Sequence, residues 1–135
     1  MLRVTQAQRS LVGDPAFFDR IAHHIKRYRP RDVRGIPPAV LRRRIAHGVA
    51  KGRSYGLTWE YSLTVFVAHM IGINPAFDEH PAVQRVLHDP DLEPDKRVDA
   101  LYVRVTDDEW EEAGKRGNPR TYWQPIDATV MAGED

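Results

Sequence analysis

The sequence predicts an all-α fold, a compact bundle of five or six short helices followed by an irregular C-terminal tail. Three observations predict it. Apolar residues recur at helical spacing in successive segments, and prolines stand where those segments begin. The one segment readable as a strand, residues 101–105, has no second strand to pair with. The chain of 135 residues, 41% hydrophobic and 29% charged, has the composition of one globular domain.

Asp14-Pro15 opens the first helix, with Asp as N-cap and Pro at the first helical position. Phe17, Phe18, Ile21, Ala22, Ile25 and Tyr28 form its apolar stripe, and Pro30 stops it. Before it, Thr5, Gln6, Gln8 and Arg9 read as a polar first turn, with Leu11 and Val12 docking ahead of Gly13. Residues 31–36 connect to a second helix opened by Pro37-Pro38. Its stripe is Val40, Leu41, Ile45 and Val49, opposite the run Arg42-Arg43-Arg44. Gly48 suits a close helix crossing, and Gly52 and Gly56 are candidates for the residue that ends the helix.

Thr58 is the expected N-cap of the third and most apolar helix. Trp59, Leu63, Phe66, Val67, Met70 and Ile71 form a wide stripe that Tyr61 and Val65 broaden. A helix apolar on most sides belongs at the centre of a bundle. Gly72 ends it and Asn74-Pro75 turns the chain. A short helix begins at Pro81, with Val83, Val86 and Leu87 inward, and closes at Asp89-Pro90. Pro94 opens another, with Val98, Leu101, Tyr102 and Val105 on one side. The run Thr106-Asp107-Asp108-Glu109 is a candidate capping box that restarts a turn around Trp110. These elements place a helical bundle domain in residues 1–113. In residues 114–135 Gly117, Asn118, Pro119 and Pro125 interrupt the periodicity, yet Tyr122, Trp123, Ile126, Val130 and Met131 are too apolar for a solvated appendage. This tail either lies back along the bundle with Trp123 as its anchor or serves as an arm for a partner.

Charge is unevenly spread. Residues 1–56 carry 13 Lys/Arg against three Asp, a net +10, and residues 57–135 carry seven against 16 acids, a net −9. The overall charge is only +1. A chain so divided steers charged partners if the two halves stay apart in space. With no cysteine, a disulfide framework and a zinc-thiolate site are excluded. No apolar run is long enough to span a membrane, and Met1-Leu2-Arg3-Val4-Thr5 lacks the apolar stretch of a secretory signal, so a cytoplasmic protein is expected.

The catalytic templates fit poorly. Gly52-Arg53-Ser54-Tyr55-Gly56 matches G-x-S-x-G, but a nucleophile elbow needs a strand-to-helix turn over a parallel sheet, and here a helix end meets a helix start. His23, His24, His47, His69, His80 and His88 show no H-E-x-x-H pattern. The nearest approach to a metal cage is Asp78-Glu79-His80 with His88 and Asp89. Glu60 is the one acid flanked by aromatics, and its place at a helix start accounts for it. No phosphate-cradling loop occurs. No cofactor, no metal and no catalytic residue are therefore expected.

A nucleic-acid interface is the alternative function. Lys26, Arg27, Arg29, Arg31 and Arg34 precede Arg42, Arg43, Arg44, Lys51 and Arg53, with Tyr28 and Tyr55 interleaved, a pattern able to neutralise phosphates and stack bases. The sixteen acids of the second half oppose a phosphate backbone lying across the molecule.

Residues 44–58, Arg-Ile-Ala-His-Gly-Val-Ala-Lys-Gly-Arg-Ser-Tyr-Gly-Leu-Thr, and residues 73–81, Ile-Asn-Pro-Ala-Phe-Asp-Glu-His-Pro, carry a resemblance. So do the Val-Leu-His-Asp-Pro turn and the following helix with Lys96-Arg97 and Leu101. Over residues 1–105 the chain resembles a group of small bacterial proteins encoded near type VI secretion and PAAR-type effector genes. That resemblance implies an accessory role, as adaptor, effector chaperone or immunity protein, and carries over no catalytic residue. The expected function is a non-enzymatic interaction module whose partner is another protein, such as a secreted effector or toxin. Its expected partner-binding residues are Arg42, Arg43 and Arg44 on the outer face of helix two, with Tyr122 and an exposed Trp123.

Overall fold

The structure is a computed structural model that describes residues 15–129. It is all-α, with no strand among those residues. Among the described residues seven α-helices follow one another: α1 (Pro15–Tyr28), α2 (Pro38–Ser54), α3 (Glu60–Gly72), α4 (Pro81–Leu87), α5 (Arg97–Arg104), α6 (Asp107–Ala113) and α7 (Pro119–Asp127). Short 3-10 turns at Pro30–Val33, Phe77–Glu79 and Pro94–Lys96 link them. The Asp14 cap, the elements expected before it, and Val130 and Met131 lie outside the described residues.

Helix α3 is the centre, as its all-round apolarity predicts. Leu63, Phe66, Val67 and Met70 are buried in one cluster with Ile21 and Ile25 of α1, Leu41, Ile45 and Val49 of α2, and Leu101 of α5. Gly48 and Gly52 let α2 cross α3 closely: a Cβ on either would stand 2.9 Å from Val67 Cγ2 or Leu63 Cδ2. Gly52 therefore lies inside α2 rather than ending it. The residue after the helix that needs a positive φ is Gly56, at +90°. The outer part of the predicted stripe is not core, since Trp59 and Tyr61 of the α3 end and Tyr102 of α5 stay about half exposed.

Two helix starts differ instructively. Thr106 and Glu109 form the capping box read from sequence, each side chain bonding the other's backbone N–H, and α6 results. At α3 the expected Thr58 cap is replaced from a distance. The buried Asp95 carboxylate accepts the N–H groups of Thr58 and Trp59, both at 2.8 Å, and the Thr58 hydroxyl at 2.7 Å. Burial pushes this carboxyl up, but those hydrogen bonds hold it below the ordinary aspartate value.

The tail is not irregular throughout. Residues 119–127 form α7, because Asn118 caps the N–H groups of Arg120 and Thr121 and Pro119 takes the first helical position. The residues read as helix breakers are here a start signal. Helix α7 lies along α2, and Trp123, expected to be exposed, is 4% exposed. Asn74 fixes the approach, donating to the carbonyls of Gly114 and Gly117 at 3.2 and 2.8 Å.

Candidate functional site

Helix α2 places Arg44, His47, Lys51 and Tyr55 along one side, three or four residues apart. Each reaches a partner distant in sequence. Lys51 Nζ lies 2.9 Å from Asp78 Oδ1, 3.2 Å from Tyr122 Oη and 3.3 Å from the Pro75 carbonyl. The Tyr55 hydroxyl donates to Asp78 Oδ2 at 2.6 Å, and the Gln84 amide donates to the Tyr55 oxygen and to the Asp78 carbonyl. His47 Nε2 meets Tyr122 Oη at 2.7 Å. Arg44 holds Asp127 through two nitrogens at 2.8 and 2.9 Å and lies over the Trp123 ring, while Arg43 donates to the Asp127 carbonyl.

The charge states follow from these contacts. Asp78 is fully buried, so an ionised partner is required to offset its desolvation. Burial lowers the Lys51 pKa, but hydrogen bonding and attraction to Asp78, aided by Tyr122, raise it above the ordinary lysine value overall. Burial and then Asp78 push the Tyr55 phenol well up, so it stays protonated. Burial, followed by repulsion from Lys51, lowers His47 against an opposing pull from Asp78, which leaves a neutral ring. A lysine held as ammonium is a poor nucleophile and a poor base. What the arrangement does is clamp α7 and the Phe77–Glu79 turn onto α2.

Most of the expected partner-binding residues also have partners inside the chain. Arg43, Arg44, Tyr122 and Trp123 are engaged within the chain, and Arg42 alone of the five borders an open surface, though it also pairs with Asp19. That surface is a cleft of about 330 Å³ between α1 and the start of α2. Phe18, Ala22 and Leu41 line it with Pro38 and Ala39, and Asp19, Lys26 and Arg42 supply its charge. Lys26 makes no ion pair among the described residues.

The remaining motifs are occupied elsewhere. The Ser54 hydroxyl donates to the Lys51 carbonyl on an exposed helix end, and Glu60 is tied to Arg20. His80 accepts the Ala82 N–H at Nδ1 and meets Glu112 through Nε2, while Asp89 pairs with Arg104. Among the described residues no three His, Asp or Glu side chains are grouped to hold a metal ion. No helix of theirs is long and apolar enough to cross a membrane. Tyr55, offered as a base-stacking residue, packs against Phe66 and His88 instead. The spacing of His47, Lys51 and Tyr55 was a readable signal of a polar ridge, but their partners were not readable, lying 23 residues away for Tyr55–Asp78 and 71 for Lys51–Tyr122. Comparison of the chain with protein-family models, with curated proteins and with solved structures returns no match.

Proposed function

We propose that this chain is a non-catalytic protein–protein interaction module, an adaptor, chaperone or immunity-like accessory of a bacterial secretion or toxin system. The resemblance of residues 44–58 and 73–81 supports the setting. The observation that carries the binding role is the α1–α2 cleft, whose apolar floor is bordered by Lys26, which has no ion pair among the described residues, and by Arg42. Such a site suits a segment of a partner protein that offers an apolar side chain next to carboxylates. The engagement of Lys51, Asp78, Tyr55 and Ser54 with one another or with backbone supports a binding role over a catalytic one.

The test is calorimetric titration of the partner recovered by affinity purification from the native bacterium. Ala22→Trp, which fills the cleft, and Lys26→Glu should each weaken binding at least tenfold while helical circular dichroism is kept. Undiminished affinity in both variants would overturn the cleft as the site.

A second reading, a nucleic-acid-binding module, rests on Tyr28. This ring is 63% exposed, with the Arg27 guanidinium 5.6 Å and the His24 ring 4.7 Å from its centroid, and Arg31 and Arg34 follow it in the sequence. Fluorescence anisotropy with labelled DNA and RNA decides: binding that falls steeply with salt and is lost on Arg27→Glu and Arg31→Glu favours this reading.

A further inference from the structure

The side chains that join α7 to α2 are those of an interface rather than of a core. Trp123 is the one buried residue of α7, and Tyr122, Ile126 and Asp127 beside it are only partly covered. They meet Arg43, Arg44, His47 and Lys51 of α2. Asp127 sits in the fork of Arg44, at 2.8 and 2.9 Å, and the same guanidinium lies 5.1 Å from the centre of the Trp123 ring. Arg43 donates to the Asp127 carbonyl. Lys51 Nζ lies 5.2 Å from the centre of the Tyr122 ring, whose hydroxyl meets His47. The His47 ring stands edge-on to Trp123 at 5.9 Å. An acid and aromatic rings on one helix, against cations and an imidazole on the other, is the pairing that dominates binding energy where separate proteins meet.

The contacts that hold the rest of the bundle run elsewhere. Leu41, Ile45 and Val49 bury another side of α2 in the cluster shared with α1 and α3, and Lys51 has its ion pair with Asp78 independently of α7. The linker is pinned separately, through the bonds from Asn74 to the carbonyls of Gly114 and Gly117. Helix α7 has nine residues, fewer than the roughly 12 that a helix needs to persist alone in water, and Pro125 removes one of its backbone donors. Its helical form therefore depends on α2. A partner helix with an aromatic ring and, four residues on, a carboxylate repeats the Trp123–Asp127 spacing and can make the same ring and carboxylate contacts. We propose that the side of α2 bearing Arg43, Arg44, His47 and Lys51 is a docking surface for such a helix, and that α7 is the displaceable strap that covers it. The surface lies on the other flank of α2 from the cleft, and the proposal rests on the reading of the chain as an interaction module.

The probe that tests it is a fluorescein-labelled peptide of residues 118–129, which carries that spacing, titrated into the full chain by fluorescence anisotropy. In the wild-type chain the tethered α7 competes at an effective concentration in the millimolar range, so binding should be weak. Trp123→Ala/Asp127→Ala in the chain loosens the strap and should tighten peptide binding at least tenfold, with circular dichroism checking the fold. Trp123→Ala or Asp127→Ala in the peptide should cost at least tenfold, as should Arg44→Glu added to the loosened chain. Hydrogen exchange of the wild-type chain is a readout free of any substitution, in which residues 119–127 should exchange ahead of α2 and α3. Exchange of residues 119–127 only together with the whole chain overturns the proposal. So does a loosened chain that binds the peptide no tighter than wild type, or that binds the altered peptides equally well. None of these variants alters Ala22 or Lys26, and the probe is not the partner recovered from the bacterium, so failure here is separable from failure of the cleft.

Discussion

Replacing His69 by phenylalanine isolates a specific acid sensitivity of the core. His69 is 6% exposed, and its ring meets Phe77, Tyr102 and Trp110 edge-on at 5.4 to 5.6 Å. Its Nε2 has no hydrogen-bond partner among the described residues. Burial, with a smaller push from the Arg29 guanidinium, lowers its pKa from 6.5 to about 4. The unfolded chain therefore binds a proton that the folded chain refuses between those values, and stability falls as pH drops through that window. The full difference corresponds to about 3.4 kcal/mol, of which about 2.4 kcal/mol develops between about pH 7 and about pH 4.5. Phenylalanine keeps the ring contacts, removes the titration and removes an orphaned nitrogen, which at neutral pH is worth up to about 1 kcal/mol. Urea unfolding of both proteins at the two pH values measures it. The carboxylates titrate alike in both, so the variant should retain roughly 2 kcal/mol more of its stability at the acidic pH. Equal losses in the two proteins would refute the assignment of that acid sensitivity to His69.

Other outcomes follow from the same contacts. Lys51→Met leaves the buried Asp78 carboxylate without its cation and should cost about 3 to 5 kcal/mol in urea unfolding. Adding Asp78→Asn should recover part of that loss. Asp95→Ala removes three hydrogen bonds from the head of α3 and should cost about 2 kcal/mol at neutral pH, with less effect in strong acid, where the wild-type carboxyl is protonated as well. Because the pKa values of Lys51 and Tyr55 are both raised, their stabilisation is complete below about pH 10 and is lost as pH climbs through the folded values, so unfolding midpoints should fall in alkaline buffer. Trp123→Ala removes the one fully covered apolar anchor of α7, and amide hydrogen exchange should accelerate across residues 119–127 ahead of the rest of the chain.

The bundle was legible because helix periodicity and helix starts are local. Pro15, Pro38, Pro81 and Pro94 each open an element, and the Thr106–Glu109 box lies within four residues of chain. Even α7 was legible in principle, since Asn118-Pro119 is a cap followed by a first-turn proline. It was masked by Pro125, which reads as a breaker but here stands inside the last turn and a half. The site was less legible. The Arg42-Arg43-Arg44 run reads as one solvated face, but consecutive residues on a helix point about 100° apart. One arginine thus borders the cleft, and the other two reach Asp127.

The sequence by itself determined that the chain is helical, that the span around Phe66 is its centre, and that cations and acids fall in separate halves. Only the tertiary structure decided that Arg44 meets Asp127, that Lys51 meets Asp78, and that Trp123 is covered while Tyr28, Tyr61 and Tyr102 are not. The reason is physical: periodicity fixes which residues share one side of a helix, whereas burial and pairing depend on which distant helix comes to lie against that side.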